Sequence, residues 1–122
     1  MVLAGLFLYI GETNMITMKK ISVLGTLYDF IHDDSLIEQN HDGICKAYTK
    51  EIRVRNMQNM LEPNENLPDK RRRYDEVARH ELIHAFFYEA GLDCYSDNEE
   101  LVQWLAIQFP KMLKAFQEAE CI

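Results

Sequence analysis

The chain of 122 residues is poor in several residue types that would commit it to a class. It has three cysteines, Cys45, Cys94 and Cys121, an odd number at wide spacings with no C-x-x-C pair. That excludes a thioredoxin-like motif and a zinc knuckle, and points to a reducing compartment, so a cytoplasmic protein is expected. It has three prolines and five glycines, too few for a collagenous or low-complexity chain. Positive charge is also short: 13 Lys and Arg stand against 20 Asp and Glu, a formal net charge of −7. An acidic chain is repelled by phosphate backbones and anionic lipid, so neither nucleic acid nor membrane is expected as a partner. The one basic run, Lys70 to Arg73, reads as a solvated helix start.

Long apolar runs are lacking too. The apolar residues 1–10, MVLAGLFLYI, are too short to span a bilayer and lack the basic start of a signal peptide. Residues 1–17 are therefore expected to be an N-terminal extension: disordered, preceding a true start at Met15 or Met18, or forming a short added strand or mobile arm. Residues 18–122 are expected to be one domain, the size at which one core suffices.

What is present follows an order. Residues 18–31 place Ile21, Val23, Leu27, Phe30 and Ile31 around Gly25, which predicts two short strands or one bent strand. Residues 32–42 are polar and read as a loop with a helical turn near 35–39. In 43–56, Ile52 and Val54 alternate with Glu51, Arg53 and Arg55, the period of a half-buried strand. Its charged face suits a sheet edge, with a hairpin arm before it turned at Thr49 and Lys50. Pro63, Asn64, Asn66 and Pro68 mark a loop. Residues 69–91 predict a helix stopped by Gly91, with Ile83, Phe86, Phe87 and Ala90 on its core face. A second helix is predicted to open at Asp97 as cap, with Glu100 completing a capping box; Leu101, Trp104 and Leu105 supply core, and Pro110 breaks or kinks it. Strands first and helices after give an α+β fold: a small antiparallel or mixed sheet of three to four strands, then a long helix carrying the site and a second C-terminal helix.

Within the first long helix stands HELIH, residues 80–84. Histidines at i and i+4 share one helix face and can meet one Zn²⁺ with two imidazoles. Glu81, turned about 100° from His80, can reach a water on the ion and accept its proton. A third protein donor is needed. His32 and His41 are the other histidines and both precede the motif, so the donor cannot be a later histidine. The acidic cluster Asp93, Asp97, Glu99 and Glu100 follows it, and an antiparallel second helix would bring that cluster near. Cys94 is a weaker alternative ligand, and Tyr88 or Tyr95 could donate to a developing oxyanion.

HELIHAFFYEAGL followed by NEELVQW resembles the gluzincin arrangement, H-E-x-x-H on one helix and N-E-x-x-x-D on the next. It is most similar to the small zincin-like proteins encoded by phages and prophages of Gram-positive bacteria, and residues 43–56 resemble the strand pair that precedes their helix. The layout matches over roughly residues 18–116, and its specific residues are 80–84 and 98–104. The resemblance implies a zinc metallopeptidase acting on a peptide or protein substrate, with His80, His84 and Glu99 as metal ligands and Glu81 as general base. Glu100 is the rival third ligand, and Asn98 and Gln103 fall at the outer-shell positions. Gln103 departs from the family's acidic residue there. The resemblance also implies a strand that pairs with extended substrate, for which residues 51–56 are the candidate, with Arg53 and Arg55 favouring acidic peptides. A non-catalytic binding or regulatory protein with structural zinc is the other reading.

Overall fold

The computed structural model describes residues 6–10, 14–60 and 66–122, with side chains described from residue 17 onward. The fold is α+β: a mixed sheet, then a long helix and a C-terminal helix. The strands are β1 (Leu6–Ile10), β2 (Asn14–Val23), β3 (Thr26–His32), β4 (Gly43–Lys46) and β5 (Glu51–Val54). They lie in the order β1-β2-β3-β5-β4, antiparallel except for the β3–β5 pair. The sheet is thus one strand wider than expected. The segment expected as an N-terminal extension supplies β1 and the start of β2, while residues 1–5 and 11–13 lie outside the described residues.

Gly25 separates β2 from β3 through a two-residue turn. Leu24 (φ 49°) and Gly25 (φ 89°) both take positive φ, the twist that matches a tight hairpin. A 3-10 turn, Asp34–Ile37, follows β3 where a helical turn was expected; Asp33 caps it by accepting from Ser35 N–H.

Three helices follow: α1 (Leu67–Glu89), α2 (Asp93–Ser96) and α3 (Glu99–Glu118). Asn66 caps α1, accepting from Asp69 N–H. Gly91, at φ 75°, ends it: Gly91 N–H donates to Tyr88 and Leu92 N–H to Phe87, the paired bonds of a left-handed helix stop. The basic run is tied within the chain, Arg71 to Asp75, Arg72 to Asp69, Arg73 to Asp42 and Lys70 to the Gln58 carbonyl.

The core lies between one face of the sheet and α1. Val23, Tyr28, Phe30, Ile52, Val54, Met60 and Ala85 are buried together, with Tyr74, Val77, Ala78 and Leu82 packed against them. The core face of α1 is therefore not the expected arc of Ile83, Phe86, Phe87 and Ala90: Phe86 and Ala90 are exposed. Small residues, Ala78 and Ala85, let the helix approach the sheet closely, and the large aromatics stay outside. Trp104, expected in the core, is half exposed, because α3 packs through Val102 and Ala106 instead.

Two further expectations change. The cap of α3 is Asn98, whose Oδ1 accepts from Leu101 N–H at 3.0 Å, one residue later than Asp97. Pro110 does not break α3. Proline removes the donor to the carbonyl four residues back, Ala106. Arg79 Nε donates to that carbonyl at 2.7 Å and satisfies it from α1.

β5 is not the sheet edge. It pairs with β3 on one side and β4 on the other, so β4 is the edge beside α1. The charges that suggested an edge are absorbed locally: Arg53 bonds Asp33 (2.6 Å) and Glu51 (2.8 Å). Arg55 is buried, with Nε donating to the His41 carbonyl at 2.6 Å. Neither arginine is therefore placed to select acidic peptides. Among the described residues, no helix is long and apolar enough to cross a membrane.

Candidate metal centre

Helical spacing puts His80 and His84 one turn apart on α1, facing α3. Their Nε2 atoms are 3.2 Å apart. Glu99, the first residue of α3, lays a carboxylate across both: Oε2 is 3.1 Å from His80 Nε2 and Oε1 is 3.0 Å from His84 Nε2. Glu100 makes no such contact among the described residues, because the next helical position points about 100° away. Asn98 touches neither ring; its part is the cap that holds Glu99 at the helix start. Cys94 is exposed on α2.

The outer nitrogens hold both rings in orientation. His80 Nδ1 lies 2.8 Å from Gln103 Oε1, and an amide oxygen only accepts, so His80 donates there. His84 Nδ1 lies 3.2 Å from Ser96 Oγ, whose own proton goes to the His84 carbonyl at 3.2 Å. Bonded at Nδ1, both rings turn Nε2 toward Glu99. Two imidazole nitrogens and a carboxylate then converge, a donor set that one divalent cation can bridge. The separations of 3.0 to 3.2 Å also suit a tetrahedral ion, since donors at about 2.0–2.1 Å around Zn²⁺ stand about 3.3 Å apart. The residues present fit zinc.

Glu81 also brings its carboxylate within 4.8 Å of both histidines' ligand atoms. It is 8% exposed, pressed between α1 and β4. Burial, with the Glu99 charge adding to it and His80 opposing, pushes its carboxyl up to about 7. A carboxyl so placed can take and return a proton near neutral pH.

Gly43 makes that placement possible. A Cβ there would lie 2.9 Å from Val77 Cγ1, 3.0 Å from Glu81 Cγ and 3.1 Å from Glu81 Oε2. Only a strand without a side chain at this point can lie so close to the helix. Grooves of about 630 and 570 Å³ open on either side of His80 and Glu81. Gly43 borders both; Glu76 and Gln103 lie in the first, His41, Tyr88 and Ser96 in the second. Tyr88 has the Lys50 ammonium 4.8 Å above its ring, whereas Tyr95 packs on Phe87 with centroids 5.9 Å apart.

Sequence reasoning missed Gly43, Ser96 and Glu76. Glu76 alone left a signal, standing four residues before His80 on the same helix face. Comparison with protein-family models, with curated proteins and with solved structures finds no match for the chain.

Proposed function

We propose that the chain is a zinc-dependent hydrolase of peptide bonds, with His80, His84 and Glu99 as the metal ligands and Glu81 as general base. The observation that carries this reading is the convergence of the two imidazole Nε2 atoms, 3.2 Å apart, with the Glu99 carboxylate from the next helix. Zinc, when bound, supplies Lewis acidity toward the scissile carbonyl and brings the pKa of water toward about 7. Glu81, buried beside it, takes the proton of the attacking water and delivers it to the leaving amine. Tyr88, at the wall of the second groove, is the candidate donor to the developing oxyanion.

The substrate strand binds at β4 rather than at residues 51–56. Arg55 N–H donates to the Asp42 carbonyl, so the inward-bonded positions of this ladder are 42, 44 and 46. Gly43 and Cys45 therefore turn their N–H and C=O groups away from β5. An extended peptide pairing there lies beside Glu81, with affinity drawn from the main chain.

Metal analysis with a peptidase assay tests the reading. Wild type should hold one zinc, Glu99→Ala should lose it and Glu100→Ala should keep it. Glu81→Gln should retain zinc while hydrolysis falls at least about 100-fold, the usual reach of general base catalysis. Wild type without zinc, or a Glu81→Gln variant that cleaves at the wild-type rate, overturns the proposal. Zinc held by four protein donors without turnover would instead make this a structural site.

A further inference from the structure

A ligand imidazole is oriented, and its basicity set, by the group at its far nitrogen, and a carboxylate there strengthens it. Position 103, where the resemblance leads one to expect a carboxylate, holds a neutral amide. Behind that amide stands Glu76. Gln103 Nε2 donates to Glu76 Oε1 at 2.7 Å, while Gln103 Oε1 accepts from His80 Nδ1 at 2.8 Å. An amide accepts at oxygen and donates at nitrogen, so the bonds run one way, His80 to Gln103 to Glu76.

We infer that Glu76 is a positioning residue for His80, acting through Gln103: the amide passes to the ring the orientation and negative charge that a carboxylate at 103 would apply directly. The two ends of the relay come from one helix, Glu76 and His80 standing one turn apart on α1, and α3 inserts Gln103 between them. The pair explains the residue at 103. A carboxylate there would face Glu76 at hydrogen-bond distance, and two such groups cannot both stay ionised. An amide satisfies a carboxylate on one side and a ring N–H on the other with no proton to share. Among the described residues His84 has no equivalent support: its outer partner is the neutral Ser96 hydroxyl at 3.2 Å. The relay therefore makes the two ligand rings unequal, with His80 the firmer donor.

The metal part of the test rests on the zinc reading; the tautomer part does not. A charge swap separates relay from packing. Wild type, Glu76→Gln, Gln103→Glu and the double variant are compared by zinc affinity, in competition with a chromophoric chelator, and by the visible spectrum of the Co²⁺ form. Each single variant should bind zinc about tenfold or more weakly, as loss of an outer partner does. The double variant should recover to within about threefold of wild type, because Glu at 103 now accepts from His80 directly and Gln at 76 supports it. Glu76→Gln binding as wild type does, or a double variant no better than the worse single, overturns the relay. The metal-free protein is read by ¹⁵N NMR of His80, which should carry its proton on Nδ1 in wild type and lose that preference in Gln103→Leu. If wild type binds no zinc, the metal reading fails, and the relay stands or falls on that tautomer alone. An Nε2-protonated His80 in wild type overturns it.

Discussion

Gly43→Ala perturbs the contact on which the general base depends. The added methyl would sit 2.9 Å from Val77 Cγ1 and 3.0 Å from Glu81 Cγ, where ordinary contact begins near 3.4 Å. The neighbours must therefore give by about 0.4–0.5 Å. Val77 cannot swing aside, since a β-branched residue in a helix has essentially one rotamer. Overpacking of this kind costs about 1–3 kcal/mol, and replacing glycine recovers about 0.4–1 kcal/mol through the unfolded chain. The net loss of about 1–2 kcal/mol should lower the melting temperature by about 4–8 °C. Glu81 or β4 must move, so hydrolysis should fall by about tenfold, in keeping with the sensitivity of catalysis to sub-ångström misplacement. Zinc affinity should stay within about threefold, because the three atoms nearest the new methyl belong to Val77 and Glu81 and not to a ligand. Thermal denaturation, zinc titration and a peptidase assay on one preparation decide the matter. An alanine variant that melts and cleaves like wild type would refute the close-approach argument, and one that loses zinc in parallel with activity would refute the separation of base from ligands.

Burial alone would raise the Asp33 carboxyl, but its bonds to Ser35 and Arg53 outweigh this and hold it below the ordinary range. A depressed folded pKa gives stability that is present above the unfolded value of about 3.9 and lost as pH falls through the folded one. Asp33→Asn, which can still cap the 3-10 turn, should cost about 1–3 kcal/mol at pH 7 and flatten the decline in urea midpoint below about pH 4. A midpoint unchanged at pH 7 would show the ion pair to be inert. Burial first, and then the Glu81 and Glu89 charges, push the Cys45 thiol up to about 12, whereas Cys94 and Cys121 are exposed. A disulfide reagent at pH 8 should therefore titrate two thiols at once and the half-buried third much more slowly; three equally fast equivalents would contradict the raised thiol.

The elements whose signal is local were legible in the sequence. The 3.6-residue pattern and Gly91 marked α1, period two marked β5, and H-E-x-x-H placed two imidazoles on one face. Properties that depend on what lies opposite were not. β5 looked like an edge because Glu51 and Arg53 are charged, yet Arg53 is spent on Asp33, and the parallel pairing with β3 has no local signature. The edge on that side of the sheet, β4, reads GICK and alternates no charge. Trp104 falls at helical spacing with Leu101 and Leu105, but close packing selects Val102 and Ala106 instead. Glu99 is legible only together with the fold-back of α3, and Glu76, although its spacing puts it on the His80 face, has no partner to read until Gln103 stands between it and His80.

Pro110 acts as an alignment key between two cylinders. The carbonyl it strands at Ala106 needs a donor from another element, and Arg79, the residue before His80, reaches it. Ala106 falls on the same stripe of α3 as Glu99 and Gln103, at offsets of seven and three residues. Turning that cylinder by one residue would swing the stripe by about 100°, and slipping it by one turn would carry it about 5.4 Å along its axis. Either error leaves a stranded acceptor as well as a scattered set of donors. The breaker thus penalises wrong phases and keeps the carboxylate, the amide and the two rings in step.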